Sequence, residues 1–141
     1  MITVGLVDDH KILREGVKKV IESNPEIKVI LEAGNGKELL SLLKNTRHIP
    51  NVLVLDVSMP EMNGHIAIGH IREKFSSIKI LVFSSFTDQN LIIDMIMKGA
   101  SGYISKASDP SELVKGILEV HSHGLYVNEI IKNEHFIKST H

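Results

Sequence analysis

The chain has 141 residues, 43% apolar and 23% charged, with a formal net charge of −1 and no cysteine. That length fits one domain with a sizeable core. The composition excludes disulfides, thiolate metal sites and a cysteine nucleophile, and leaves no overall basic footprint for nucleic acid.

The opening "MITVGLVDDH" has no basic region and turns acidic by residue 8, unlike a secretory leader. No apolar run approaches the roughly 20 residues that cross a bilayer. A cytoplasmic setting with no membrane contact is expected.

The first element is "ITVGLV" (2–7), a short Val/Ile/Leu run of the kind that forms a strand buried on both faces. Residues 11–23 follow with Ile12, Leu13, Val17, Val20 and Ile21 on one helical face, and Pro25 lies just beyond. "KVILEA" (28–33) reads as the second strand. "AGNGKE" (33–38) then leads into a helix over 37–45 with Leu39, Leu40, Leu42 and Leu43. "AGNGKE" is not a phosphate loop: Glu38 stands where Ser or Thr should follow the lysine, and Leu31 where the first glycine should be. A turn before a helix accounts for it.

"VLVL" (52–55) runs straight into Asp56, and a turn-rich segment with Pro60 and Gly64 precedes a helix over 65–75 carrying Ile66, Ile68, Ile71 and Phe75. "KILVFS" (79–84) is the fourth strand, followed by a helix over 88–98 that Gly99 stops. "GYIS" (102–105) is the fifth. "SDPSE" then opens a helix over 110–122, with Asp109 as N-cap, Pro110 in the first turn and Glu112 three residues after the cap.

Five strand–helix units predict an α/β fold, a doubly wound five-stranded parallel sheet of (βα)5 form with helices on both faces. Residues 1–127 make one domain. The last stretch, "NEIIKNEHFIKSTH" (128–141), belongs to no further unit and reads as a linker or the start of a connection.

In open parallel sheets, sites form outside the carboxyl ends of the strands. Strand 1 ends at Asp8 and Asp9, strand 3 at Asp56 and strand 4 at Ser84 and Ser85, and Lys106 follows strand 5. If strands 1, 3 and 4 are neighbours, three carboxylates, a hydroxyl and an ammonium meet at one rim. Clustered carboxylates repel, and a hard cation such as Mg²⁺ relieves them. A carboxylate beside Mg²⁺ can accept a phosphoryl group, which a lysine and a serine can hold. Alone, Asp8 or Asp9 could simply cap the first helix; the set at one rim is harder to explain that way.

At these residues the chain resembles the receiver domain of two-component response regulators, with the CheY-like fold. The stretches "VDDHKILREGVKKVI" and "VFSSFTDQNLIIDMIMKGASGYISKASDPSELVKGI" resemble the LuxR/FixJ-type (NarL-like) branch. The resemblance spans about residues 2 to 127.

It implies Asp56 as phosphoacceptor, Asp9 as a direct Mg²⁺ ligand, Asp8 as an acid binding through water, and the Ser58 carbonyl as the third protein ligand. It implies Ser84 as the switch hydroxyl, Lys106 as the phosphoryl partner, and Tyr103 as the aromatic that follows the switch. Pro60 and Gly64 match the turn behind the acceptor. Ser58 and Phe86, each two residues past a key position, are expected to tune the lifetime of the aspartyl-phosphate. Ala107 stands where many receivers have proline, a mark of this branch.

The resemblance further implies a sensor histidine kinase as donor, and a helix 4–strand 5–helix 5 face that changes on phosphorylation. It also implies a possible homodimer, and contact with DNA only through a C-terminal helix-turn-helix domain outside this chain. The resemblance implies that the receiver itself is not an enzyme beyond its own phosphoryl transfer and autodephosphorylation.

In "NLIIDMIMKG", Ile92, Met95 and Ile96 suit the core, leaving Leu91, Ile93 and Met97 as surplus apolar surface. Leu91 and Met97 are read as a partner face, against a broader buried face as the plain alternative.

Three rivals remain. A dehalogenase-type phosphatase would need a second acid where Ser58 stands. A flavodoxin-like binder would need a phosphate loop where the acid pair stands. A pseudo-receiver that only docks partners would dispense with the acceptor or the lysine, and both are present. Among the eight histidines, His10 reads as a polar opening to the first helix. His121 and His123 make at best a weak metal pair with His135 or His141.

Overall fold

The computed structural model describes residues 1–57, 64–85 and 88–126. The expectations for Ser58, Pro60, Phe86 and 128–141 lie outside these residues. The elements alternate throughout: β1 (Ile2–Val7), α1 (Lys11–Glu22), β2 (Ile27–Ala33), α2 (Gly36–Asn45), β3 (Val52–Leu55), α3 (Gly64–Lys74), β4 (Lys79–Ser84), α4 (Gln89–Met97), β5 (Gly102–Ser105) and α5 (Pro110–His123). The sheet order is β2-β1-β3-β4-β5 and every pairing is parallel. The chain therefore reverses direction across the sheet between β1 and β3, which is where open α/β sheets form their crevice.

The apolar strands are buried because both faces are covered. On one side Leu39 and Leu43 of α2, Ile68 and Ile71 of α3, and Ile92 and Met95 of α4 pack with Leu53, Leu55, Ile80 and Val82. On the other, Val17 and Ile21 of α1 and Leu113, Ile117 and Val120 of α5 pack with Val4, Leu6, Val52, Val54 and Leu81.

Register places the chemistry. Val7 pairs with Leu55 and Leu55 with Val82, so the residues that follow β1, β3 and β4 emerge at one rim. The ladders continue one step past the strands. The Asp8 N–H donates to the Ala33 carbonyl (3.1 Å), the Asp56 N–H to Val7 (3.0 Å) and the Lys106 N–H to Ser84 (2.9 Å). At the opposite end Asn51 fixes the β1–β3 register: its Oδ1 accepts from the Thr3 N–H (2.9 Å) and hydroxyl (3.0 Å).

The helix ends follow local chemistry. Asn35 caps α2 by accepting from the Glu38 N–H (2.8 Å), and the Glu38 carboxylate accepts from the Gly34 N–H (3.3 Å). The pair is a variant of the capping box, with Glu38 reaching the N–H before the cap residue, and it is what "AGNGKE" encodes. Asp88 and Asp109 cap α4 and α5 through their carboxylates. Gly99 (φ 123°) and Gly124 (φ 79°) follow those two helices in left-handed backbone that suits glycine.

The expected core face of the first helix needs correction. Val17 and Ile21 are buried, but Ile12 is 87% exposed and Leu13 is also exposed. Both lie in the opening turn of α1, at the rim, and the face turns inward only one turn later. Leu42 and Ile66 are likewise more exposed than a strict helical stripe predicts.

Candidate functional site

Lys106 organises the rim. Its Nζ donates to Asp8 Oδ2 (2.9 Å) and to Asp56 Oδ2 (3.2 Å). Asp56 is 1% exposed and Asp8 4% exposed, so two buried carboxylates share one ammonium. A buried carboxylate is costly without such a partner. Lys106 also lies 5.8 Å from the centre of the Phe83 ring, within cation–π reach.

The titration of this cluster follows the pairing. Burial by itself would raise the Asp8 carboxyl, but the bond from Lys106 and the His10 backbone N–H outweigh it and hold it below its ordinary value. Burial would likewise lower the Lys106 ammonium; the bond to Asp8 and the charges of Asp56 and Asp8 outweigh it and hold it above its ordinary value.

Asp9 is exposed beside this pair. The His10 Nδ1 lies 3.1 Å from Asp9 Oδ1 and 3.3 Å from Asp8 Oδ1, and the His10 N–H donates to Asp8 Oδ1 (2.9 Å). His10 is the N-cap of α1, but its side chain makes no cap bond.

The sequence reading passed over Arg14. Its guanidinium donates to the Asp8 carbonyl (2.6 Å) and reaches the Ala33 carbonyl (3.4 Å) and Glu32 (3.4 Å). It thereby locks the backbone at the ends of β1 and β2. The available signal was a basic residue one turn into α1 with an opposite charge, Glu32, near the end of β2.

Ser84 is fully buried, and its carbonyl accepts from both the Lys106 N–H and the Tyr103 hydroxyl (3.3 Å). Tyr103 is itself buried in the core on the α2–α4 side, and burial raises its phenol above the ordinary value. The structure thus brings Asp8, Asp9, Asp56, Ser84 and Lys106 to one rim, with Tyr103 buried behind it and its hydroxyl on the Ser84 carbonyl.

The surplus face expected on α4 divides. Leu91 and Ile93 are half-buried and pack against the core, whereas Met97 is 72% exposed. Leu91 is therefore less available as a contact residue than its place in the sequence suggests.

The donor chemistry fits a hard divalent ion. Carboxylate oxygens of Asp8 and Asp9 lie within 4.8 Å of each other and of a His10 ring nitrogen, with Asp56 joined to Asp8 through Lys106. Carboxylate oxygen donors of this kind suit Mg²⁺.

Residues 4–118 match the family model of the response regulator receiver domain. The chain belongs to this family. It is 34% identical to the nitrate/nitrite response regulator protein NarL of Escherichia coli K12, over 92% of this chain and 59% of NarL. It is 30% identical to the transcriptional regulatory protein DegU of Brevibacillus brevis, over 90% of this chain and 53% of DegU. The chain thus spans between half and three-fifths of the length of these relatives.

Among solved structures it resembles a LuxR-family two-component response regulator from Aurantimonas sp. SI85-9A1. The TM-score is 0.86 at 33% identity, covering 99% of this chain and 98% of that one. This is a receiver domain of the LuxR type. No helix among the described residues is long and apolar enough to cross a membrane.

Proposed function

We propose that this receiver takes a phosphoryl group on Asp56 from the phosphohistidine of a sensor histidine kinase. The observation that carries the reading is the pairing of buried Asp56 and Asp8 through Lys106 at the β1–β3 rim. A carboxylate oxygen of Asp56 forms the new O–P bond as the donor's P–N bond breaks, and the departing imidazole takes up a proton. Lys106 and the Ser84 hydroxyl then hold phosphoryl oxygens. Asp8, Asp9 and Asp56, with the Ser58 carbonyl, are the residues that would hold Mg²⁺. Bound there, Mg²⁺ neutralises charge on the transferring group.

Phosphorylation adds charge and strong acceptor oxygens at the rim. Ser84 and Tyr103 respond and the α4–β5–α5 face changes population. Ser58 and Phe86 tune how long the phosphoryl group persists. The domain spans 1–127, and 128–141 serves as a linker or as the start of the connection to a C-terminal output domain. The output is transcription regulation through DNA bound by that domain, in the cytoplasm, with a homodimer as a further partner state. The names of NarL and DegU support a regulatory role.

Intact-protein mass after incubation with acetyl phosphate tests this. One phosphoryl adduct is expected with Mg²⁺, none after chelation, and none in Asp56→Asn. A folded wild-type chain with no adduct sinks the reading and favours a docking module that works without phosphorylation.

A contact face on α4 is tested at Met97, because its exposure separates contact from folding. Met97→Lys is expected to weaken self-association in sedimentation, or binding to the partner, while leaving the melting temperature in place. Leu91→Lys is expected to lower stability as well, since Leu91 packs on the core. Unchanged association in Met97→Lys would remove α4 from the contact surface.

A further inference from the structure

Beyond α5 the chain does not simply leave the domain. Gly124 ends the helix in left-handed backbone, and the chain turns back toward the outer edge of β5. There Tyr126 forms a parallel bridge with Gly102. The Tyr103 N–H donates to the Tyr126 carbonyl (3.1 Å), and the Tyr126 N–H donates to the Ser101 carbonyl (2.9 Å).

Gly102 makes the approach possible, because a Cβ at that position would overlap the Tyr126 carbonyl oxygen. The Tyr126 ring packs against the core on the α1–α5 side, and its hydroxyl donates to the Glu112 carboxylate (2.6 Å). Burial and the Glu112 carboxylate push that phenol up to about 12. An outer strand presents unpaired backbone groups, and here part of that edge is closed by the chain's own continuation.

The same backbone has a second link. Tyr103, whose N–H is held by Tyr126, places its hydroxyl on the Ser84 carbonyl, to which the Lys106 N–H also donates. Strand β5 therefore connects the rim to the segment that follows α5 through two consecutive sets of hydrogen bonds.

We propose that residues 124–126 form a clasp on the edge of β5, held by Gly102, Tyr103 and Glu112, which fixes the chain beyond α5 to the strand bearing Tyr103. A movement of β5 then opens or tightens the clasp, so the connection is a conducting joint and not a free tether. The statement of what moves β5 rests on the phosphorylation proposed above; the clasp itself does not.

Amide hydrogen exchange on the whole chain tests this, with Glu112→Ala as the variant. Glu112 is only half-buried and belongs to neither apolar cluster. In the unmodified chain the Tyr103 and Tyr126 amides are expected to be protected together. In Glu112→Ala both should exchange about tenfold faster while β1 and β3 amides hold their rates. Opening of Tyr126 alone, or an unprotected Tyr126 amide in the unmodified chain, overturns the clasp.

Gly102→Val forces the Tyr126 carbonyl away and should speed chymotryptic cleavage after Tyr126. Should that variant fail to fold, the Glu112→Ala comparison decides alone. On a chain whose adduct at Asp56 is verified by mass, Tyr126 exchange is expected to shift severalfold; an unchanged rate overturns the conducting role. Failure to form any adduct counts against the phosphorylation proposal, and the Glu112→Ala result still decides the clasp.

Discussion

Lys106→Ala is expected to cost about 3 kcal/mol of stability at neutral pH, because it leaves two buried carboxylates without their shared cation. The direction with pH is as informative as the size. In the wild type the Asp8 carboxyl is held below its ordinary 3.8 and the Lys106 ammonium above its ordinary 10.5. The Asp8 contribution is present above 3.8 and is lost as pH falls through the lowered value. The Lys106 contribution is present below 10.5 and is lost as pH rises through the raised value.

Remove the lysine, and burial of Asp8 is opposed only by the bonds from His10, so its carboxyl moves up from the wild-type value. The stability deficit of Lys106→Ala relative to wild type should therefore shrink as pH falls into the carboxyl range, because the variant's Asp8 takes up its proton at higher pH than the wild type's. Mg²⁺ should also raise the denaturation midpoint of Lys106→Ala more than that of wild type, since it replaces part of the missing charge. Urea unfolding at two pH values, with and without Mg²⁺, reads all three effects. A variant as stable as wild type at neutral pH would show that the pairing does not hold the rim together.

Leu53→Ala is the second large effect. Register places Leu53 beside Gly5 on one strand and Ile80 on the other, with no exposure at all. A Cβ at Gly5 would already crowd the Leu53 side chain at 2.9 Å, so the leucine fills its site and little around it can collapse into a void. Truncation should cost about 3 kcal/mol, within the range for buried leucines. For a chain of this size that corresponds to a melting temperature about 10 °C lower. The same variant, kept cold and folded, should still form the Mg²⁺-dependent adduct. Loss of the adduct in the cold would mean that Leu53 also sets the rim geometry.

The strands were legible because a strand covered on both faces must be apolar at every position, and "VLVL" or "KILVFS" can hardly be read otherwise. The rim was legible for a related reason: charge directly after such a run has to face the strand ends. Ile12 and Leu13 misled because helical periodicity reports a face but not how far the sheet extends beneath it. Arg14 was missed because its work is done on backbone carbonyls, which leave no residue-type signature. Tyr126 was missed because a single bridge has no period, and Glu112 reads as a capping residue until its hydroxyl partner is seen. Leu91 and Met97 look equivalent in a list of apolar residues, and only packing separates them.

The sheet also partitions the interior. Val52 and Val54 pack with α1 and α5, whereas Leu53 and Leu55 pack with α2, α3 and α4, so among the described residues the two apolar clusters lie on opposite faces of the sheet. Side chains that share no neighbours contribute additively to stability. Conservative trims on opposite sides, such as Ile71→Val with Ile117→Val, should sum, while two trims within one cluster should not. Sequence drift on the α2–α3 side can thus proceed without altering how α1 and α5 sit against the sheet, and the domain behaves as two independently tunable halves sharing one acidic rim.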